Sequence, residues 1–369
     1  MAQQLALMTW SDLDWPALDR LRDKFLRAES TATPYWESSA DLASYDFTYG
    51  ERIGWKWDHV LRELRLRGWR PASRHVLDWG CGSGIAARRV IESFGAGNFD
   101  SLTVWDHSPL AADFAATAAQ RKFPHLAVSQ ATPGLFTQNP ELKTQNLGLL
   151  LISHVLNELP PDALDALRAF AAHADEILWV EPGTHAVSRA LGTQRELFRA
   201  AGFRVIAPCT HENECPMFAL GRERDWCHFF APPPSEIFAD SNWVKFGQRA
   251  GIDLRSLPYA FLALEKLRPV GRASLSAVVL AKAECPPSEF PDAGGKSRPA
   301  ETLSRIIGRP EHFKPYARFL NCDATGLGEL ELPKRADPAL FKELERTKSP
   351  LVYRWRRDGD KILGGEALR

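Results

Sequence analysis

The run from His75 to Gly84, HVLDWGCGSG, constrains the fold of this chain more than any other stretch. An apolar, strand-like segment leads into Gly80, Gly82 and Gly84, and a helical pattern follows at once. Glycines let a backbone turn sharply and approach a ligand without a Cβ in the way. The free amide groups at the start of a helix favour polar or anionic ligands. The pattern therefore predicts a strand–loop–helix unit that binds a nucleotide-like cofactor.

From residue 75 to about residue 208, short apolar runs alternate with helical patterns. Continuous apolar strands that alternate with helices are typical of a parallel sheet covered on both faces. We therefore predict an α/β fold built on a Rossmann-like sheet. The predicted strands are His75–Trp79, Ser101–Asp106, His125–Gln130, Leu147–His154, Glu176–Glu181 and Arg204–Pro208. The predicted helices are Ile85–Phe94, Pro109–Lys122, Pro161–His173 and Ser188–Ala200.

A carboxylate follows the second predicted strand, because Asp106 lies 22 residues after Gly84. At this place it can accept hydrogen bonds from both hydroxyls of a ribose. The loop fits two cofactors. Gly82 to Ala87 reads G-x-G-x-x-A, as in dinucleotide-binding folds, whereas Asp78 before the first glycine gives D-x-G-x-G. The second pattern resembles the first motif of class I S-adenosylmethionine-dependent methyltransferases. That resemblance implies that Asp78 supports the methionine end of the cofactor and that Asp106 binds its ribose.

The fourth predicted strand ends at Ser153 and His154, which puts His154 beside the cofactor. The following segment, SHVLNELP, lacks the Asn/Asp-Pro-Pro-Tyr signature that holds a base amino group for methylation. It also lacks the Pro-Cys or Thr-Cys pair of base-carbon methyltransferases. The sequence therefore names no catalytic residue, and catalysis is left open. The predicted cofactor-binding residues are Asp78, Gly80, Gly82, Gly84, Asp106 and His154.

Three of the six cysteines, Cys209, Cys215 and Cys227, fall within nineteen residues. Thiolates bind soft and borderline metals, and four of them complete a zinc site or one iron–sulfur cluster. The spacing lacks the two C-x-x-C pairs of a zinc ribbon, so a fourth ligand must come from elsewhere. The candidates for that ligand are Cys285, Cys322, Cys81, His211 and His228. Thiols that bind no metal and pack as small apolar groups are the alternative.

The regions on either side of the predicted sheet divide the chain further. The N-terminal part has helical spacing of apolar residues, and the tail has strand-like runs at Ala317–Asn321, Glu329–Leu332 and Leu351–Trp355. Between sheet and tail, two more apolar runs, Tyr259–Leu264 and Leu275–Ala281, precede a segment rich in Pro, Gly and Ser. The predicted organisation is an N-terminal helical region (1–70), a class I methyltransferase-like domain (71–285) with a cysteine-rich insertion (209–235), a linker (286–300) and a small β-rich C-terminal module (301–369).

The charge balance excludes a globally basic nucleic-acid-binding coat, because 46 Lys and Arg residues match 46 Asp and Glu residues. Local basic faces remain, and residues 296–369 hold 16 basic and 11 acidic side chains. Phosphate contact is the functional interpretation of such faces, and an ordinary solvated surface is the alternative. The candidate basic residues are Arg62, Arg65, Arg67 and Arg70, and Arg354, Arg356, Arg357 and Lys361 in the tail.

No apolar run approaches the roughly 18 residues that span a bilayer. The N-terminus also lacks the basic segment of a secretory or transit peptide. We therefore expect a cytoplasmic protein with no membrane partner.

Several blocks resemble one known family. They are VEPGT at 180–184, A-P-C-x-H-x-x-x-C-P at 207–216, WCHF at 226–229 and RIIGRPEHFKPYARFLNCDATG at 305–326. They are similar to the methyltransferase-like family of mitochondrial small-ribosomal-subunit assembly factors and their bacterial relatives. The resemblance implies a methyltransferase-like sheet, a 4Fe–4S cluster and association with small-subunit ribosomal RNA. By position, the cluster ligands it implies are Cys209, Cys215, Cys227 and Cys322.

The leading hypothesis is an S-adenosylmethionine-binding, iron–sulfur methyltransferase-like protein that acts on the small ribosomal subunit. It would serve rRNA methylation or ribosome assembly, and we expect it to be a monomer when free. One alternative is a catalytically inactive RNA-binding assembly factor. The other is a small-molecule or protein methyltransferase with a structural zinc in place of the cluster.

Overall fold

The computed structural model describes residues 8–27, 36–131, 147–267, 302–346 and 351–368. The predicted strand Leu275–Ala281, the predicted linker at 286–300 and Cys285 lie outside these residues. No helix in the described part of the chain has both the length and the apolar surface that crossing a bilayer requires.

Three helices form the N-terminal region, as its helical spacing predicts. They are α1 (Trp15–Arg27), α2 (Ser39–Tyr45) and α3 (Glu51–Leu66), and a π-helical turn at Asp46–Gly50 joins the last two. The α2 helix begins where the Ser38 hydroxyl accepts the Asp41 N–H, which satisfies a free amide of the first turn. Apolar side chains on one face of α3 are buried, including Trp57, Leu61 and Leu64. This face holds α3 against the sheet domain, where it continues into the main core.

The central sheet has the predicted Rossmann-like architecture. Its strands lie in the order β3-β2-β1-β4-β5-β8-β6, and the first five are parallel. Strand β8 is antiparallel to both of its neighbours, β5 and β6. This is the sheet of the class I methyltransferase fold, and the reversal of strand order between β1 and β4 opens a crevice at the carboxyl ends of the strands. The strands are β1 (His75–Trp79), β2 (Ser101–Trp105), β3 (Ala127–Gln130), β4 (Leu149–Ser153), β5 (Glu176–Pro182), β6 (Phe203–Ala207) and β8 (Leu257–Lys266).

Helices cover both faces of this sheet. The first four residues of β4 are fully buried, as a central strand with two covered faces requires. The bounds of β1 and of the next two helices match the predictions, and the other predicted elements of the sheet up to residue 208 differ by one to three residues at an end. The helices are α4 (Ile85–Phe94), α5 (Pro109–Lys122), α6 (Pro161–Ala171) and α7 (His185–Ala200).

The alternation breaks after β6, as the sequence indicates. An irregular segment carries the three close cysteines and ends in a short strand, β7 (Phe229–Ala231), which pairs with β8. Helix α8 (Ser241–Ala250) follows, and the sequence pattern does not predict it. The predicted apolar run Tyr259–Leu264 forms the middle of β8.

The C-terminal module is a closed five-stranded barrel in the order β10-β11-β13-β12-β9. Along the chain, helix α9 lies between β11 and β12, and β11 and β13 pair in parallel. This is the arrangement of an OB-fold. Its core includes Phe319, Tyr353 and Trp355. The elements are β9 (Thr302–His312), β10 (Tyr316–Asp323), β11 (Gly326–Pro333), α9 (Pro338–Arg346), β12 (Val352–Asp358) and β13 (Lys361–Ala367).

Candidate functional site

The glycine loop between β1 and α4 takes the form that its sequence predicts. Gly80, Gly82 and Gly84 have φ angles of 67°, 52° and 76°, in the left-handed region that favours glycine. A Cβ at Gly84 would come within 2.8 Å of the Ala115 Cβ, so that position also needs glycine for packing. A Cβ at Gly82 would meet no atom within 4 Å. The loop is therefore tight against the fold at Gly84 and open at Gly82.

Two carboxylates hold this loop from different sides. Asp106 accepts the Gly82 N–H on one oxygen and the Ser108 N–H on the other, both at 2.9 Å. Asp78 is fully buried behind the loop and accepts the Ala87 N–H at 3.3 Å. Its other oxygen has no hydrogen-bond partner among the described residues. Burial raises the pKa of both carboxyls, that of Asp78 to about 7.

A cavity of about 660 Å³ opens in front of the loop, at the carboxyl edge of the sheet. That volume suits a cofactor or a small ligand. Of the six predicted cofactor-binding residues, Gly80, Gly82, Asp106 and His154 line the cavity, whereas Asp78 and Gly84 lie behind its wall. Aromatic side chains form much of the rest: Trp36, Tyr45, Tyr49, Trp79 and Trp105. The rings of Trp79 and Trp105 are stacked, with centroids 5.0 Å apart.

The cavity also has polar side chains to which the sequence analysis assigned no role. Arg52 and Lys56 lie one turn apart on α3, and Glu158 follows β4. Lys56 Nζ lies 3.0 Å from His154 Nε2. Arg52 Nε is buried and has no hydrogen-bond partner among the described residues. One helix face carries a regular set of cavity residues: Tyr45, Tyr49, Arg52 and Lys56. This spacing is the signal that would have revealed these four residues in the sequence.

Burial changes the ionisation of these groups. Burial and the neighbouring Arg52 charge together lower the pKa of Lys56 to about 7, against the opposing charge of Glu181. Burial also lowers the pKa of His154 well below its usual range, with Lys56 and Arg52 adding to the effect. Burial raises the pKa of Glu158 to about 7, and the charge of Asp106 contributes. Several cavity groups therefore change charge near neutral pH, which is typical of functional sites.

The four predicted metal ligands come together where the sheet domain meets the barrel. Cys209, Cys215 and Cys227 lie in the irregular segment after β6, and Cys322 lies on β10. Burial raises the pKa of Cys227 well above its usual range, and the charges of the other three thiols add to this rise. No three or more His, Cys, Asp or Glu side chains in the described ranges are arranged so that they could hold a metal ion. The four thiols are therefore neighbours in space that are not arranged around a single metal ion.

Buried arginines surround these thiols. Arg195 Nε donates to Cys209 Sγ at 3.2 Å. Arg67 donates to the carbonyl oxygen of Cys209 at 3.0 Å and to Glu63 at 3.0 Å. Glu63 also pairs with Arg305 of β9, whose guanidinium carbon lies 3.7 Å from the centroid of the Phe229 ring. We call this region, the four cysteines with Glu63, Arg67, Arg195 and Arg305, the cysteine seam.

The predicted basic faces have different outcomes. Arg62, Arg65 and Arg70 are exposed, but Arg67 is not part of that surface, because its guanidinium is held by Glu63 and three backbone carbonyls. The prediction of phosphate contact is therefore wrong for Arg67. Of the basic residues predicted in the tail, Arg354, Arg356 and Lys361 are exposed and Arg357 is half-buried.

Comparison with known proteins gives one family match. A family model described as "Mitochondrial small ribosomal subunit Rsm22" matches residues 58–234, a little under half of the chain. The matched part runs from α3 through the glycine loop to the three close cysteines. No curated protein matches the chain at a significant level.

Solved structures resemble the sheet domain at low identity. A Pyrococcus horikoshii protein provisionally assigned as an RNA methyltransferase has a TM-score of 0.36 and 11% identity, over 58% of this chain and 85% of that one. M. capricolum TrmK, in complex with S-adenosyl-homocysteine, has a TM-score of 0.32 and 7% identity, over 57% of this chain and 70% of that one. The plantazolicin methyltransferase BamL, also in complex with S-adenosyl-homocysteine, has a TM-score of 0.35 and 12% identity, over 68% of this chain and 100% of that one. The strand order, and not these similarities, assigns the fold.

Proposed function

We propose that this chain binds S-adenosylmethionine in the 660 Å³ cavity and acts on the small ribosomal subunit as a methyltransferase-like protein. The observation that carries the proposal is the glycine loop, open at Gly82 and joined to the Asp106 carboxylate at the carboxyl edge of the sheet. The match of residues 58–234 to a family described by the mitochondrial small ribosomal subunit supports the choice of partner. The cytoplasmic location and the monomeric state stay predictions.

The residues of the cavity suit this cofactor. Asp106 would accept the ribose hydroxyls, since its carboxylate lies at the end of β2 and lines the cavity. The half-buried Arg52, whose buried Nε has no hydrogen-bond partner among the described residues, would bind the methionine carboxylate. When bound, S-adenosylmethionine supplies a methyl group on a positively charged sulfur. The chain supplies the orientation, the aromatic walls and the charges around it.

Isothermal titration calorimetry with S-adenosylmethionine tests the cofactor. We expect the wild-type chain to bind and Asp106→Ala to bind at least about tenfold more weakly, which is the loss of one charge-assisted contact. Asp100→Ala is the matched control, because Asp100 is an exposed carboxylate before β2 that pairs with Arg74 at the surface. If the wild-type protein binds no S-adenosylmethionine, the cofactor proposal is wrong. Co-sedimentation with small subunits would then leave only the assembly role.

We also propose that the cysteine seam holds a 4Fe–4S cluster. Three arguments support it: four thiols share one region, Arg195 donates to the Cys209 sulfur, and the thiols come from both the sheet domain and the barrel. A cation beside a sulfur stabilises a thiolate. A cluster bound there would join the two modules, which is a structural role. If zinc is found there in place of iron and sulfide, the cysteines form a structural zinc site instead.

Anaerobic purification with iron, sulfide and zinc analysis tests the cluster. We expect iron and sulfide in the wild-type protein and in Cys285→Ser, and their loss in Cys209→Ser and Cys322→Ser. Loss in Cys285→Ser with retention in Cys322→Ser would move the fourth ligand to Cys285. A protein without iron, sulfide or zinc would overturn the metal proposal and leave the cysteines as packing residues.

The barrel is the proposed RNA-binding module. OB-fold barrels bind single strands through a basic groove and aromatic side chains. At the loop between β9 and β10, the rings of Phe313 and Tyr316 are stacked with centroids 4.8 Å apart, and Arg318 lies over the Phe313 ring. The exposed Arg354 and Arg356 of β12 add positive charge beside the start of β9, away from this loop. The stacked pair fits a single-stranded segment of the small-subunit RNA.

A further inference from the structure

We propose that Lys56 and His154 form the proton-accepting pair of the cavity, and that the methyl acceptor is a hydroxyl group such as the ribose 2′-hydroxyl of RNA. The proposal rests on the function proposed above and goes beyond it, because it names a base and an acceptor class. It stands on the contact of 3.0 Å between Lys56 Nζ and His154 Nε2 inside the cavity.

The histidine ring is held from its other side. His154 Nδ1 lies 3.3 Å from Ser153 Oγ, and that oxygen accepts the Trp57 Nε1–H at 3.0 Å. Trp57 is fully buried, so it gives this short chain of contacts a rigid end. Two proton arrangements satisfy the chain: Lys56 donates to Nε2, or a proton on Nε2 points to an uncharged amine. The pair can therefore gain or lose a proton without a new geometry.

The backbone at His154 is itself unusual. Its φ of 58° is the only positive value outside glycine among the described residues. The His154 N–H still donates to the Val180 carbonyl at 2.9 Å, so β4 pairs with β5 up to the residue that departs from strand geometry. A left-handed residue other than glycine costs energy, and such residues concentrate at functional sites. Here the departure belongs to a cavity residue in contact with a half-buried lysine.

The charges around Lys56 permit an uncharged amine. Burial, with Arg52 on the same helix, lowers the pKa of Lys56 to about 7, against the opposing charge of Glu181. No carboxylate among the described residues lies within ion-pair distance of Lys56. The other titratable groups that line the cavity are Lys24 on α1, Tyr45 and Tyr49 from the α2 region, Cys81 in the glycine loop, Asp106 and His107 after β2, and Glu158 after β4.

A hydroxyl acceptor explains why a base is needed. A hydroxyl keeps its proton at neutral pH and is a weak nucleophile until that proton is taken. A ring nitrogen with a free lone pair needs no such help. In the transfer, the new O–CH₃ bond forms as the S–CH₃ bond breaks, and the bond pair stays on sulfur as a neutral thioether. The hydroxyl proton passes to Lys56, which becomes an ammonium and later releases the proton to water.

Affinity measurements with two probes test the charge on Lys56 without any turnover. S-adenosylmethionine carries a positive sulfur and S-adenosylhomocysteine a neutral one, so their affinity ratio reports the charge nearby. Protonated Lys56 repels only the first, so the ratio should rise about tenfold from pH 6 to pH 8.5 in the wild-type protein. Glu158 and Glu181 titrate in the same range, and variants therefore assign the effect.

Three variants make that assignment. Lys56→Met removes the charge, and its ratio should be high at low pH and change clearly less with pH than that of the wild type. Lys56→Arg keeps the charge at every pH, and its ratio should be low at high pH. Lys245→Met makes the same substitution at an exposed lysine of α8 outside the cavity, and its profile should match the wild type. An equal ratio and slope in all three variants would overturn the role of Lys56, although the cofactor proposal would stand. If neither probe binds, both proposals fail.

The acceptor class has its own readout. Small-subunit RNA is incubated with tritiated S-adenosylmethionine and digested with alkali, which does not cut next to a 2′-O-methyl group. We expect the label in alkali-resistant dinucleotides, and a loss of at least about a hundredfold in Lys56→Met, the usual size for a general base. Label in a base, with the rate unchanged in Lys56→Met, would overturn the hydroxyl acceptor.

Discussion

The two ends of helix α3 hold their buried charges in opposite ways. At the N-terminal end, Arg52 and Lys56 line the cavity, and no described carboxylate lies within ion-pair distance of either. At the C-terminal end, Glu63 is fully buried and pairs with both Arg67 and Arg305. Buried charges are costly unless a partner compensates them. One end of the helix is therefore complete within the protein, and the other end is suited to a ligand.

This difference separates structure from function within a single helix. The paired end joins the sheet domain to the barrel, since Arg305 belongs to β9 and Arg67 holds the backbone around Cys209. At the unpaired end, the pKa values of several groups lie close to neutral pH. Substitutions at the two ends should therefore change different quantities, stability at one and ligand affinity at the other.

The largest effect is expected at the paired end. Glu63→Leu leaves the guanidinium groups of Arg67 and Arg305 buried without their carboxylate. The loss of one partner of a buried ion pair costs about 3–5 kcal/mol in the free energy of unfolding. Urea denaturation measures this loss. The wild-type contribution of Glu63 is present at neutral pH and should decline as the pH falls below about 4, because pairing with arginines lowers its pKa despite burial.

A surface ion pair provides the control for this substitution. Arg74 and Asp100 are both about half exposed, so Asp100→Ala should cost no more than about 1 kcal/mol. If Glu63→Leu costs as little as Asp100→Ala, the paired end of α3 does not hold the two modules together.

The two glycines of the loop should separate folding from binding at the other end. Gly84→Ala should lower the free energy of unfolding by about 2–3 kcal/mol, because a Cβ there adds a contact of 2.8 Å to an unfavourable φ. Gly82→Ala should cost about 1 kcal/mol, since its Cβ meets open space. Affinity for S-adenosylmethionine should nevertheless fall more in Gly82→Ala than in folded Gly84→Ala. The reverse order would show that the ligand does not approach the loop at Gly82.

A smaller effect is expected from the carboxyl of Glu181. Burial raises the pKa of Glu181 to about 7, well above the value near 4.3 of an unfolded chain. The unfolded state therefore loses this proton first, and the carboxyl lowers stability progressively as the pH rises from about 4 to about 7. Glu181→Gln keeps the oxygen that accepts from Trp179 Nε1 and from two backbone N–H groups. Relative to the wild type, the variant should gain about 1–3 kcal/mol between pH 5 and pH 8.

Thermal or urea denaturation across this pH range measures the gain. Glu92→Gln, at an exposed carboxylate on α4, is the matched control and should show no comparable gain. If the free energies of unfolding of the wild type and Glu181→Gln change in parallel with pH, the Glu181 carboxyl is already charged in the folded protein across this range.

The smallest effect concerns the barrel beyond the cysteine seam. Phe313→Ala should weaken binding of single-stranded small-subunit RNA by about five- to tenfold, because base–aromatic stacking contributes about 1–3 kcal/mol. The side chain is 39% exposed, so stability should change little. Filter binding at several salt concentrations measures affinity. Lys342→Ala, an exposed cation on α9, is the control for charge alone. Unchanged affinity in Phe313→Ala would place RNA binding on another surface.

Regular patterns explain which elements the sequence predicted. Strand β1 and helices α4 and α5 were predicted to the residue, because continuous apolar runs and helical spacing are set by local order. Strand β13 (Lys361–Ala367) escaped prediction, since two consecutive glycines weaken its strand pattern and its partners β12 and β11 lie elsewhere in the chain. Strand β9 was also missed, although its last residues pair with β10 across a short loop. Helices α8 and α9 were also missed; they are only ten and nine residues long, although their buried side chains recur at helical spacing.

In the candidate site as well, features set by local sequence were predictable and features set by tertiary packing were not. The glycine loop and Asp106 were predictable, because their spacing lies within one β–α–β unit and backbone geometry requires those residue types. Lys56 and His154 are 98 residues apart in sequence and meet only when α3 packs beside the end of β4. Their contact has no local signature that periodicity can detect.

The sequence by itself determined the Rossmann-like sheet, the loop that faces the cavity and the three close cysteines, because each depends on neighbours along the chain. Cys322 was named as the fourth ligand only through the family resemblance. Only the tertiary structure decided which charges are paired. Burial and distance set the pKa of a buried group, and both are properties of the packed chain. Glu63 and Lys56 lie seven residues apart on α3, yet one meets two arginines in the cysteine seam and the other a histidine in the cavity.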